Sequence, residues 1–345
     1  MSRHGPTEPE AFAVMRALRW IVLLALLAGG ALAAYAWWWL KQPMPLARPT
    51  VEVTIEPGTP PRRIAQQWAA AGVQVPADAL YAWFRLSGRS PQFRAGTYEI
   101  GVGTTPRQLL EILLRGDEAL YTVRFIEGWT FAQLRTALAA APSLKHDSKD
   151  MTETQVMAAI GVPGQRAEGR FFPDTYAYGR KVSDLVVLKQ AYAAMQRRLE
   201  AAWAERAPDL PLASIDELLT LASIVEKETG VEADRVKVAS VFVNRLRLGM
   251  PLQTDPTVIY GLGPAFDGNL RKRDLLADGP YNTYIRKGLP PTPIALPGAA
   301  SIKATVQPAP SKWLYFVARG DGSSVFSESL ADHNRAVNQY QRGGK

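Results

Sequence analysis

Hydrophobic and polar positions fall into three regimes along the chain. Residues 20–40 are 21 consecutive uncharged, mostly apolar residues. As a helix rising 1.5 Å per residue they suffice to cross a hydrocarbon core of ~30 Å. A period of two follows: Val51, Val53 and Ile55 alternate with Glu52, Thr54 and Glu56 and stop at Pro57-Gly58, which predicts a strand with one buried face. Helical spacing then predicts helices over residues 62–71 (Ile64, Trp68, Ala69), 77–86 (Leu80, Trp83, Phe84) and 105–115, the last stopping at Gly116. Residues 93–100 return as a strand. This is a small α+β module.

The pattern restarts at Tyr121. Residues 121–126 read as a strand ended by Glu127-Gly128, 131–140 as a helix, and 142–151 as a polar connection whose His146 is expected in solvent. Residues 183–206 form a long amphipathic helix, and 214–230 and 232–248 two more, the last ended by Gly249. Residues 314–317 and 324–326 make a hairpin around Gly320-Asp321-Gly322. The larger second part is again α+β. In the segment 168–176 (EGRFFPDTY) aromatics alternate with charged and turn residues, which suits stacking on sugar faces and closing a core equally well.

Flanking residues refine the first regime. Arg16 and Arg19 precede the apolar run, Lys41 follows it, and Trp37, Trp38 and Trp39 suit an interfacial belt. Ala31-Leu32-Ala33 resembles a signal-peptide cleavage site, but the length and the belt favour an uncleaved anchor. The expected layout is a cytoplasmic tail at 1–19, a transmembrane helix at 20–40 and an extended spacer at 41–50 containing Pro43, Pro45 and Pro49, with everything beyond Lys41 outside. A chain of 345 residues with 47% hydrophobic and 21% charged residues holds a sizeable core. The absence of cysteine excludes disulfides and thiolate chemistry. The net charge of +8 comes from scattered Lys and Arg, which argues against nucleic acid as a partner.

Candidate chemistry concentrates at residues 214–260. Ser214 and Glu217 read as a capping box and Gly230 as a left-handed terminator, so Glu226 and Glu228 fall in the last turn of one helix. At 100° per residue their side chains lie about 200° apart, on opposite flanks, and cannot share a proton. The helix's C-terminal end is partially negative, so a shielded carboxyl there is held neutral, as a general acid requires. Glu228 is nearest that end and flanks Leu221 and Ile224. The plain alternative is two solvated glutamates. Gln253, Thr254 and Asp255 are expected in one polar loop, and Tyr281, Asn282, Thr283 and Tyr284 in another. Such side chains hydrogen-bond hydroxyls and stack on rings, the chemistry of saccharide recognition. Residues 288–294 (GLPPTPI) fix an extended backbone or serve only as a rigid connection.

The segments 222–229 (ASIVEKET), 237–247 (KVASVFVNRLR), 252–261 (LQTDPTVIYG), 281–284 (YNTY) and 288–294 resemble the endolytic murein transglycosylases of the MltG/YceG-like family, and the resemblance covers nearly the whole chain. It implies a LysM-like module at 51–118, a catalytic domain at 119–345, and Glu228, the second glutamate of E-K-E, as catalytic acid. Gln253, Thr254, Asp255, Asn282 and Tyr284 are then substrate-positioning candidates, and no metal or other cofactor is implied. The implied activity is cleavage within growing peptidoglycan strands to 1,6-anhydromuramyl ends, terminating elongation. The enzyme would sit in the cell inner membrane as a single-pass protein with its catalytic part periplasmic, with cell-wall synthases as possible partners. Leu296 departs from the polar or small residue expected before Pro297-Gly298. A noncatalytic glycan-binding scaffold, and a hydrolase using Asp255 as a second acid, are the alternatives.

Overall fold

A computed structural model describes residues 8–343. The chain divides into two compact units, Met1–Ala119 and Leu120–Lys345.

The first unit begins with helix α1 (Glu8–Trp39), whose stretch Leu18–Trp39 is long and apolar enough to cross a membrane, with a mean hydropathy of 1.9. Of the expected tail, residues 1–7 lie outside the described residues, and the remainder is the start of α1. Strand β1 (Thr50–Ile55) buries Val51, Val53 and Ile55, as its alternation predicts. Helices α2 (Pro61–Ala71) and α3 (Ala77–Leu86) follow, then β2 (Gly96–Gly101), antiparallel to β1 with Tyr98 opposite Val53, and α4 (Pro106–Arg115). Their apolar faces meet in one core around Ile64, Trp68, Phe84, Tyr98 and Leu113. A Thr105/Gln108 capping box starts α4, and Gly116 ends it at φ 74°, a left-handed position that favours glycine.

Two expectations fail here. Residues 93–95 stay outside β2 because a 3-10 turn, Ser90–Gln92, delivers them; Phe93 instead packs edge-on against Phe84 at 5.1 Å. Residues 41–50 are no spacer. Met44 is 3% exposed and its N–H donates to the Thr104 carbonyl at 2.8 Å, while the Ala47 N–H reaches Gly72 O and the Gln74 N–H reaches Pro45 O, both at 2.8 Å. The prolines leave enough backbone donors and acceptors for the segment to dock on the module.

In the second unit β3 (Tyr121–Arg124) leads to α5 (Phe131–Ala140) and α6 (Glu153–Ala159), and β4 (Thr175–Tyr178) returns antiparallel to β3. Then come α7 (Asp184–Ala204), α8 (Ile215–Glu228), a 3-10 turn at Glu232–Asp234, α9 (Arg235–Arg247), α10 (Asp255–Leu262), α11 (Lys272–Leu276) and α12 (Ala299–Val306). The antiparallel hairpin β5 (Tyr315–Ala318) and β6 (Ser324–Ser327) precedes α13 (Leu330–Val337). The fold is α+β, with small antiparallel ribbons among helices.

Helix α8 is the centre of the main core. Every residue from Leu218 to Val225 is buried, against α7, α9 and α12, and the helix reaches the surface only at its first turn, through Asp216, and at its last. Its ends differ from expectation. Ser214 accepts from the Glu217 N–H at 3.2 Å, but the Glu217 carboxylate turns to the Ala213 N–H at 2.6 Å rather than completing a box. Gly230 is not left-handed; the helix stops because Thr229 is extended, its hydroxyl donating to Val225 O at 2.7 Å. On α9, Val236 is exposed, and the packed face is Val238, Ala239, Phe242 and Val243.

The segment 168–176 closes the core. Phe171 stacks on Phe131 at 5.3 Å, Phe172 lies under the Arg198 guanidinium at 3.6 Å, and the buried Tyr176 donates to Phe172 O at 2.7 Å. No ring of these three is available to a sugar. Leu296 is fully buried in the same core, its N–H donating to Trp129 O at 2.7 Å. Leu296 is a packing residue in this chain.

Candidate active site

Glu228 is the last residue of α8, where the helix leaves the core. The Thr254 hydroxyl donates to its Oε1. Thr254 precedes α10 and is itself buried, held by its N–H donating to Thr283 Oγ1 at 3.1 Å. The neighbouring Gln253 N–H donates to Thr283 O at 3.0 Å, and the Thr257 and Thr283 hydroxyls share a 2.9 Å bond. The two polar loops are therefore sewn together through Thr283, a residue passed over in favour of its neighbours.

The predicted site residues separate into two groups. Glu228, Gln253, Asp255 and Tyr284 line one cleft of about 580 Å³, with Thr254 behind them against Glu228. Tyr284 donates its hydroxyl to Asp255 Oδ1 at 2.5 Å. Asp255 is the first residue of α10 rather than part of a loop; Pro256 in the first turn fits there because that N–H has no helical partner. Asn282 does not reach the cleft through its side chain. It is buried, its amide donating to Leu275 O at 3.0 Å and Ala277 O at 2.7 Å while its Oδ1 accepts from the Tyr284 N–H at 2.9 Å. It fixes the turn that presents Tyr284.

Arg245, part of the segment 237–247 but not among the site candidates, lies at the base of the cleft at 7% exposure. Its Nε donates to Leu314 O at 2.7 Å and its Nη1 to Leu252 O at 2.8 Å and Gln253 Oε1 at 3.3 Å, so one planar fork ties the Gln253 loop to the β5 wall. Gln253 has φ 51°, a left-handed conformation costing a non-glycine residue roughly 1 kcal/mol. The Arg245 and Thr283 bonds hold it there. His333, on α13, stacks on Tyr315 at 5.3 Å across the cleft, and burial pushes its imidazole below the usual histidine range. The sequence signal available for Arg245 was a break from the apolar Val241-Phe242-Val243 run into Asn244-Arg245.

Electrostatics distinguish the carboxyls. Burial pushes the Glu228 carboxyl up, the Thr254 bond opposes this, and the Asp255 charge adds to it. The net upward shift favours a protonated acid in the cleft. Glu226, on the other flank, accepts from the Gly298 N–H at 2.9 Å and the Ser301 hydroxyl at 2.7 Å, at the N-terminal end of α12. An anion is stabilised there by the helix dipole and by otherwise unpaired N–H groups. Glu168 is a third carboxyl, 7% exposed, accepting from the Phe131 N–H at 2.9 Å and the Tyr260 hydroxyl at 3.0 Å. Burial raises it to about 7 against those bonds. Tyr260 belongs to α10, so Glu168 braces from behind the helix that Asp255 begins. Among the described residues no three His, Cys, Asp or Glu side chains gather as metal ligands.

The profile of the YceG-like family matches residues 53–339. The chain is 32% identical over 315 residues to the endolytic murein transglycosylase of Bacillus subtilis (strain 168), covering 85% of this chain and 86% of the relative. It is 26% identical over 363 residues to the protein of the same name from Streptococcus pneumoniae serotype 2, covering 94% of this chain but 64% of that longer relative. Among solved structures it is similar to a yceG-like protein from Listeria monocytogenes, with a TM-score of 0.53 at 28% identity, over 83% of this chain and 98% of the other.

Proposed function

The chain belongs to the YceG-like family, and from that premise we propose that it is a peptidoglycan lytic transglycosylase, a lyase, with Glu228 as its single acid and base. The observation that carries this is the Glu228 carboxyl, shifted toward its protonated form and oriented by Thr254 in a cleft of about 580 Å³. Protonated Glu228 gives its proton to the glycosidic oxygen between N-acetylmuramic acid and N-acetylglucosamine as the C1–O bond breaks through an oxocarbenium-like state. The muramyl 6-hydroxyl closes on C1, and its proton passes to the Glu228 carboxylate, which regenerates the acid. No water is consumed, and the product end is 1,6-anhydromuramic acid. Because the internal hydroxyl is the nucleophile, a second carboxylate is unnecessary. This agrees with Glu226 being committed to α12 and Asp255 to the Tyr284 hydroxyl.

Gln253, Asp255 and Tyr284 face the cleft and are assigned to sugar contacts. Thr254 orients the acid, and Asn282 holds Tyr284 in place. The apolar helix supports a single-pass anchor in the cell inner membrane, with residues 119–345 as a periplasmic catalytic domain. Residues 51–118 are assigned as a LysM-like module holding neighbouring glycan, and the protein as a terminator of strand elongation working beside the synthases.

The test is mass spectrometry of products from uncrosslinked glycan strands, with the chain beside its Glu228→Gln variant. Anhydromuramyl ends that vanish in the variant are expected. Ends heavier by one water would establish a hydrolase, and uncut strands from both proteins a binding scaffold.

A further inference from the structure

The first unit holds a groove that the reaction does not use. The last turn of α1 and the Leu40-Lys41 turn meet α3 and α4 around a cavity of about 310 Å³, lined by Trp37, Lys41, Trp83, Arg89, Arg107 and Glu111. Three cations stand against one carboxylate. Lys41 Nζ lies 3.5 Å from the centre of the Trp37 ring, Arg89 Nη1 pairs with Glu111 at 3.0 Å, and the Trp83 indole is fixed by donating to Pro106 O at 3.1 Å. Arg107 is exposed in the first turn of α4. A cation at the positive end of a helix is electrostatically unfavourable, so an anion bound beside it is favoured by the side chain and the helix together.

The position of the groove narrows the ligand. Trp39 packs on the core of the module and Met44 lies within it, so no flexible tether separates the groove from the apolar helix. With Leu18–Trp39 crossing a bilayer, the three cations lie at the headgroup layer, and the exposed Leu26 and Leu23, within about 40° of Trp37 at 100° per residue, continue below the groove along the helix. Guanidinium groups match phosphate oxygens in geometry and charge. We propose that this groove binds the phosphodiester headgroup of an anionic membrane phospholipid, whose acyl chains lie along α1, and so fixes the module on the membrane surface. The proposal rests on the membrane-anchor reading given above.

The experiment uses the full chain in lipid nanodiscs containing phosphatidylglycerol and phosphatidylcholine, with native mass spectrometry of the lipids retained on release. Retention of phosphatidylglycerol over phosphatidylcholine is expected, falling about five-fold for each cation removed in Arg89→Gln and Arg107→Gln. A Lys272→Gln/Arg273→Gln variant, which removes two exposed cations from the second unit, should leave retention unchanged. Equal retention of the two lipids, or the same loss in both sets of variants, overturns the site. Alkaline extraction of the chain from membranes separates the two failures: a chain released into the soluble fraction ends the anchor reading and the site with it, whereas a chain that stays embedded without headgroup preference ends the site alone.

Discussion

The two flanks of α8 carry the same residue type two positions apart at the same helix end, and the molecule uses them differently. On one flank Glu226 meets the start of α12, where a backbone N–H and a serine hydroxyl satisfy its charge. On the other, Glu228 meets a threonine hydroxyl, the nearby Asp255 charge and a cleft, and its carboxyl is shifted toward the neutral form. Helical geometry separates the flanks, and the elements packed against each one decide between structure and chemistry. The comparison is broken most directly by neutralising each side. Glu228→Gln keeps the shape and the acceptor for Thr254 but cannot donate a proton from a carboxylic acid, so turnover should fall by about 10²–10⁴-fold or more with the thermal midpoint unchanged. Turnover near the wild-type rate would remove Glu228 from the reaction.

Glu168 sharpens the contrast, because it too is a buried carboxyl shifted upward, yet it lies behind α10. Its folded-state value, about 7, is above that of an unfolded glutamate. The folded state therefore binds this proton more tightly, and the associated stability is fully present below about pH 4.5 and is lost as pH rises toward 7. The span is on the order of 3 kcal/mol. Denaturation across that range should show stability falling in the wild type, with a flatter profile in Glu168→Gln. Equal slopes would mean that Glu168 does not titrate there. Glu226→Ala follows in size. It removes two hydrogen bonds to a charged acceptor, for a loss of about 3 kcal/mol at the low end for such bonds, and should leave turnover within ten-fold of wild type; a collapse of turnover without loss of stability would place Glu226 in the chemistry.

What the sequence could reveal follows the same division. Helices α3 and α5 begin and end where their apolar spacing predicts, and β1 buries the alternating residues, because local periodicity carries that information. Short helices escaped: α6 begins at a Thr152/Gln155 capping box and α10 at Thr254-Asp255-Pro256, both readable start signals on elements too short to show a period. Gly230 misled because a glycine after a helix is no proof of a left-handed turn when a threonine has already ended it. The position of Glu228 was legible as a helix-end carboxyl. Its surroundings were not: Thr283 meets Thr257 26 residues away, Arg245 meets Leu314 69 away and Glu168 meets Tyr260 92 away, and no local pattern encodes such pairings. Asn282 was a polar residue in the right loop, but its amide is spent on backbone carbonyls.

The smallest expected effect tests how the Glu228 flank is tuned. Thr254 is buried and its hydroxyl donates to the carboxyl, which lowers the Glu228 pKa against the larger effect of burial. Thr254→Val keeps the branched shape and removes that donor, so the acid should become harder to ionise and the alkaline limb of the pH–kcat profile should move to higher pH. Orientation is lost at the same time, because the Thr254 hydroxyl is the donor that aims the carboxyl, and kcat at its optimum should fall by about ten-fold, the size of one hydrogen bond to a carboxyl group. The two readouts separate the roles: a shifted limb with unchanged kcat means that Thr254 only tunes the acid, and a lower kcat with an unmoved limb means that it only aims it. A limb displaced to lower pH would contradict the electrostatic account of this flank, since removing a donor to a carboxylate cannot make the carboxylate easier to form.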